Sequence, residues 1–264
     1  MCTLALYRRA WPDWPLVVAA NRDEFYARPA SGPAPLSDVA GVVAGRDLEA
    51  GGTWLGCRAS DGLLVVGVLN RRPADGTAVG VRGQRSRGLL ALDALRAWSL
   101  SDALSLVMAE DASRYAPFNL LLADPERAVV IDNGDGGLRV TELEAGLTLL
   151  TNLDANDPRC PRLASALPAF ERIPDGIGET PSESAIVGAC AKVLAGHDNS
   201  VDPSGRDPLA RLCVHTEAYG TRSASIIVCS NAGDVSYYHS AGPPCRTPFE
   251  PVVPRKAARV TRDQ

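Results

Sequence analysis

The chain has 264 residues, 45% of them hydrophobic, and a net charge of −4. That length buries one large core or two small ones, and the mild acidity gives no general reason to expect nucleic acid as a partner. The longest apolar runs, such as residues 63–69, are far shorter than the roughly 20 residues of a membrane span, so no stable membrane insertion is expected. Arg8, Arg9, Pro12 and Asp13 interrupt the start of the chain before any signal-peptide h-region can form, and a cytoplasmic location is expected.

The first elements read as a hairpin. Residues 2–7 and 16–20 are strands flanking a Trp/Pro/Asp loop, with Asn21-Arg22-Asp23-Glu24 directly after the second strand. Residues 29–35 read as a loop. Residues 42–44, 53–58 and 63–69 read as short strands, with Asp61-Gly62 as a hairpin turn. Arg71, Arg72, Arg82, Arg85 and Arg87 stud the connection that follows, which reads as a solvated surface loop or as a screen for a carboxylate or phosphate on a ligand entering near Asn70. Helical spacing begins at residues 89–98 and again at 101–110, where Ser101 is the expected N-cap.

Strands resume at residues 118–123, 128–132, 138–141 and 147–150. Helical patterns return at 158–171 and 183–195, the second capped by Ser182. After a loop at 196–208, strands at 223–229 and 235–239 close around a turn at 231–234. Strand clusters alternate with helix pairs but not in βαβ order, which predicts an α+β layered fold with antiparallel sheets. One domain is expected over residues 1–250. Residues 251–264 read as a basic, solvated tail carrying Arg255, Lys256, Arg259 and Arg262. No oligomeric state is specified.

Cys2 is the first candidate for chemistry. Loss of Met1 would make it the N-terminal residue, with an α-amine of pKa about 7.7–8.0. Such an amine can serve as general base for the thiol of its own residue. Asn21-Arg22-Asp23-Glu24 lies beside it in the hairpin and can tune that thiol, or form an ordinary surface ion pair. Asn70 and Asn152 each end an apolar strand, where an amide can donate to an oxyanion or simply terminate the strand. Arg222 precedes a long strand and could hold a carboxylate such as Asp23, or an anionic substrate.

The seven cysteines are odd in number and no pair has CxxC spacing, which suits a reducing compartment and argues against a zinc ribbon or a disulfide framework. His197, His215 and His239 form no HxxxH or HxH cluster, so no metal is expected. A GxSxG elbow is absent, which disfavours a serine triad.

The motifs in order are Met1-Cys2, NRDEF at 21–25, GGTWLG at 51–56, Asn70, FNL at 118–120, TN at 151–152 and YGTRS at 219–223. Together they resemble the NRDE family, the family of transport and Golgi organisation protein 2, over about residues 1–240. That family is similar to N-terminal nucleophile (Ntn) hydrolases of the choloylglycine hydrolase and penicillin V acylase type. The resemblance implies a four-layer αββα sandwich of two antiparallel sheets and cleavage of a linear amide or related acyl bond. Cys2 would be the nucleophile, Asp23 would hold its amine, Arg22 and Arg222 would tune the thiolate, and Asn70 and Asn152 would flank the oxyanion. One departure is that Arg22 and Asp23 are adjacent, and neighbours on a strand face opposite ways. The resemblance equally implies a second function for the same pocket, the carriage of haem, acyl-CoA or another hydrophobic anion without catalysis. In that case no resident cofactor is needed, and Cys160 is a candidate axial ligand for a carried haem.

Overall fold

A computed structural model describes residues 2–59, 62–72, 83–134, 136–197 and 207–252. Thirteen strands and four α-helices follow in chain order. They are β1 (Thr3–Trp11), β2 (Trp14–Phe25), β3 (Ala30–Pro35), β4 (Val42–Asp47), β5 (Leu55–Arg58), β6 (Leu64–Asn70), α1 (Arg87–Arg96), α2 (Leu100–Met108), β7 (Phe118–Ala123), β8 (Ala128–Asp132), β9 (Arg139–Glu142), β10 (Gly146–Leu150), α3 (Pro161–Ile177), α4 (Glu183–Leu194), β11 (Tyr219–Cys229), β12 (Val235–Ser240) and β13 (Glu250–Val252). One antiparallel sheet has the order β10-β1-β2-β11-β12-β13, and the other runs β3 to β9 in sequence.

Strand alternation explains the layers. Leu4, Leu6, Leu16 and Val18 point into the core between the two sheets. Their neighbours Ala5, Tyr7, Val17 and Ala19 point the other way, into a core shared with α3 and α4. The second sheet does the same with α1 and α2, through residues such as Leu64, Val66, Leu90 and Leu95. A strand buried on both faces must be apolar at every position, which is why these segments read as continuous runs. Each fully buried Leu or Val contributes about 1.5–3 kcal/mol. The result is a four-layer αββα sandwich of two antiparallel sheets.

Several local expectations shift. Residues 29–35 form β3 and not a loop; β3 is an edge strand, where prolines are tolerated because one side of the ladder is free. β2 continues to Phe25, so Asn21-Arg22-Asp23-Glu24 lies inside a strand paired on both sides. α2 is capped by Ser99 and not Ser101; the Ser99 hydroxyl accepts from the Asp102 N–H. α3 starts at Pro161, whose fixed φ and missing N–H suit the first helical position. Ser182 caps α4 as expected. No helix among the described residues is long and apolar enough to cross a membrane. Asp61 of the expected hairpin turn and residues 253–264 of the basic tail lie outside the described residues.

A candidate nucleophile cleft between the sheets

Thr3 pairs with Asn21 across the β1–β2 ladder, which sets Cys2 beside Arg22. Cys2 is half-buried and packs against the core between the sheets. Its Sγ lies 3.7 Å from the Asp23 carbonyl oxygen. The Arg22 guanidinium sits 4.3 Å from the centre of the Trp54 ring and 3.9 Å from Glu24. Burial pushes the Cys2 thiol above its ordinary value and the charge of Asp23 adds to that, while Arg22 pulls the other way.

The cleft around Cys2 is walled by Arg22, Trp54, Asn70 and Arg87, with Glu24 and Arg28 at its side. Arg87 opens α1 and donates to the Pro117 carbonyl at 2.8 Å; no carboxylate lies within ion-pair reach of it among the described residues. Burial lowers the pKa of both Arg22 and Arg87, and a negative charge on Cys2 would oppose that most strongly. Two partly desolvated guanidinium groups lining one cleft therefore favour an anion there.

Asp23 faces away from Arg22. Its carboxylate accepts from Arg162 Nη1 at 2.7 Å and from the Thr221 hydroxyl at 2.7 Å. Both members of the Asp23–Arg162 pair have fully buried side chains. Arg162 also donates to Thr3 Oγ1 at 3.0 Å and to the Leu209 carbonyl at 3.0 and 2.7 Å. A buried ion pair is tolerated only when its hydrogen bonds are met in this way. Arg22 and Asp23 thus both border the cleft with Cys2, but the Asp23 carboxylate is spent on Arg162 and Thr221 and anchors the strand to the helix layer beneath it.

The other expected residues are spread out. Asn70 is at the exposed end of β6, on the cleft wall. Asn152 is buried away from that wall, and its Oδ1 meets no hydrogen-bond donor among the described residues. A β-bulge between Thr221 and Ser223 singles out Arg222, whose guanidinium donates to the Tyr26 carbonyl. The role expected of Arg222 toward Asp23 is filled by Arg162 and Thr221.

A family model described as Transport and Golgi organisation 2 matches residues 1–241. The chain belongs to that family. Among curated proteins it is similar to the Transport and Golgi organization protein 2 homologs of Bos taurus, at 30% identity over 246 residues, and of Homo sapiens, at 28% over 250, with 84% of each chain covered. The Drosophila melanogaster protein of that name is 26% identical over 257 residues, with 84% of each chain covered. Among solved structures, a Caenorhabditis elegans N-acylethanolamine-hydrolyzing acid amidase ortholog superposes with a TM-score of 0.51 at 13% identity, covering 86% of this chain and 92% of the other. That likeness establishes the fold of this family member and nothing about its substrate.

Sequence reasoning overlooked Arg162 and Thr221 as parts of this neighbourhood, whereas Arg87 is one of the arginines that the sequence offers for a ligand near Asn70, and it lines the cleft with that residue. Arg162 did leave a signal: it occupies the same helix face as Ala166 and Phe170, where an arginine has no reason to be unless a buried carboxylate meets it. The arginines read as a solvated loop are mostly engaged. Arg71 donates to Asn119 at 3.0 Å and Asp154 at 2.7 Å, and Asn119 donates to the carbonyls of Thr151 and Leu153. The FNL and TN motifs of this family member are thereby tied together. Arg85 pairs with Asp93 and Glu110, Arg72 is exposed, and Arg82 lies outside the described residues. Cys160, the candidate axial ligand, is buried under α3 away from the cleft.

Proposed function

We propose that this protein is an Ntn-type cysteine hydrolase of a linear amide or related acyl bond, acting in the cytoplasm. The observation that carries the reading is the half-buried Cys2 thiol beside Arg22 in a cleft open to solvent. Removal of Met1 gives Cys2 a free amine. That amine takes the thiol proton as sulfur attacks the acyl carbon, the C–N bond breaks, and the proton passes to the leaving amine. Water then cleaves the thioester and restores the thiol. Arg22 stabilises the sulfur anion, Asn70 is an amide on the cleft wall able to donate to an oxyanion, and Asp23, held by Arg162, keeps the end of β2 and hence Cys2 in place. All seven cysteines are free thiols, which supports a reducing compartment.

Intact mass spectrometry should show loss of Met1 and, after brief incubation with acylated amides, an acyl adduct on Cys2. Cys2→Ala should lower hydrolysis on the order of 10³-fold or more. Unchanged activity in that variant would end the proposal.

The presence of both Arg22 and Arg87 on the cleft lining favours a second reading, in which the cleft binds and releases a hydrophobic anion such as haem or an acyl-CoA without cleaving it. Haemin or a fatty acyl-CoA should then quench Trp54 saturably, and the quench should weaken in Arg87→Gln. Haemin titration with neither a Soret shift nor saturable quenching would remove haem from consideration.

A further inference from the structure

Four side chains outside the cleft converge in a way that no sequence motif announces. His197 follows α4, Cys213 and His215 lie on the segment leading into β11, and Cys245 lies on the loop after β12. Each offers one ligand atom, and the four atoms all lie within 4.8 Å of one another. We propose that these residues form a tetrahedral structural zinc site.

The distances among Cys213, His215 and Cys245 fit three corners of a Cys₂His₂ shell, with His197 close enough to supply the fourth. His215 Nε2 is 3.2 Å from Cys245 Sγ and 3.6 Å from Cys213 Sγ, and the two sulfurs are 3.6 Å apart. With Zn–S of about 2.3 Å and Zn–N of about 2.0–2.1 Å, the edges of a regular tetrahedron come to about 3.3–3.8 Å. The His197 and His215 rings stand 5.2 Å apart between centroids. His197 Nδ1 lies 3.0 Å from the Cys213 carbonyl oxygen. That bond selects the tautomer protonated on Nδ1, the form with a lone pair on Nε2, and it is the usual outer-shell partner of a zinc-bound histidine. Two thiolates and two imidazoles suit Zn²⁺ in preference to the oxygen-seeking Mg²⁺ and Ca²⁺. Binding displaces two thiol protons to solvent and leaves a neutral site. Four protein ligands leave no open position, so the site is structural.

The backbone holds these ligands together independently of the ion. Asn21 Nδ2 donates to the carbonyls of Leu194 and Leu212, both at 2.9 Å, joining the end of α4 to the residue before Cys213. The Cys213 N–H donates to the Gly196 carbonyl at 3.0 Å. A Cβ on Gly220 would stand 2.5 Å from the Val214 carbonyl, so only glycine allows β11 this close to the ligand segment. Val214, flanked by two ligands, donates its N–H to Thr221 Oγ1 at 2.9 Å, and that hydroxyl donates to Asp23. The ion would thus fix the segment that orients the Asp23 carboxylate, whatever chemistry Cys2 performs.

The full-length chain, purified untagged and without chelator, should carry about one zinc per molecule by elemental analysis. Exchange for Co²⁺ should give a thiolate-to-cobalt charge-transfer band and tetrahedral d–d bands. Cys245→Ser should lose the zinc, and Cys57→Ala, remote from the cluster, should keep it. His197→Gln alters the exposed ligand and leaves the buried thiol intact, so it should fold and lose at least about tenfold in affinity under chelator competition. The proposal is overturned if zinc-equilibrated wild-type protein holds no more metal than Cys245→Ser, or if its cobalt form lacks the thiolate band. A Cys213–Cys245 disulfide in protein equilibrated with zinc would overturn it too.

Discussion

Asp23 and Arg162 show how a single buried charge can be read. The carboxylate accepts from both Arg162 and Thr221, with no exposure of either member of the ion pair. Removing one member of the ion pair leaves the other charge buried without that counter-charge. Arg162→Met should therefore cost about 3–5 kcal/mol in urea unfolding, whereas Thr221→Val, which removes one hydroxyl bond, should cost about 1–3 kcal/mol. Equal losses in the two variants would mean that the hydroxyl, and not the guanidinium, carries the anchor. The motif Asn21-Arg22-Asp23-Glu24 was legible as a polar cluster beside Cys2, because four polar residues ending an apolar strand are conspicuous. Which of them faces the thiol depends on strand phase, and which cation meets Asp23 depends on α3, some 140 residues further along the chain.

At the scale of elements, the two glycines of Gly51-Gly52-Thr53-Trp54 have different jobs. Gly51 has φ +74°, a conformation costly for other residues. Gly52 lies against the start of α1, where an added Cβ would stand 2.2 Å from the Gly88 carbonyl carbon. Thr53 N–H donates to the Gly88 carbonyl at 2.9 Å, so this contact ties the approach to β5 to the helix that carries Arg87. Gly52→Ala should cost about 1–3 kcal/mol through backbone displacement, seen as a lower midpoint in thermal unfolding, and should weaken anion binding at Arg87. A neutral outcome would mean that α1 is free to move. Element types were readable where apolar periodicity was strong, as in β7, β8 and α4. Boundaries moved where polar residues find partners across a ladder: β2 and β11 extend each other, Tyr219 pairing with Phe25 and Thr221 with Asp23.

For the whole molecule, the packing of sheet on sheet gives a titration that local sequence does not. His239 of β12 lies against Gly32 of β3 in the opposite sheet, where an added Cβ would stand 3.3 Å from the ring. Its Nδ1 is 3.2 Å from Ser225 Oγ. Burial holds its pKa down to about 4, from an ordinary 6.5. Between those values the unfolded chain binds a proton that the folded one refuses, so stability falls as pH drops from 6.5 to about 4 and this contribution levels off below. His239→Gln should flatten that slope in unfolding midpoints measured across the window; an unchanged slope would assign the acid sensitivity elsewhere.

The residues alone determined an α+β layered protein with antiparallel sheets, because clusters of strand-length apolar runs alternate with helix pairs outside βαβ order. They also placed a thiol at the start of the chain beside a polar motif, since a hairpin needs only local contacts. The tertiary structure decided everything that requires distant segments to meet: Arg162 under Asp23, Arg87 on the same cleft as Arg22, and two histidines with two cysteines gathered from three separate segments. Side-chain partnerships of that kind depend on which strands lie together and in what register, and no spacing along the chain records that.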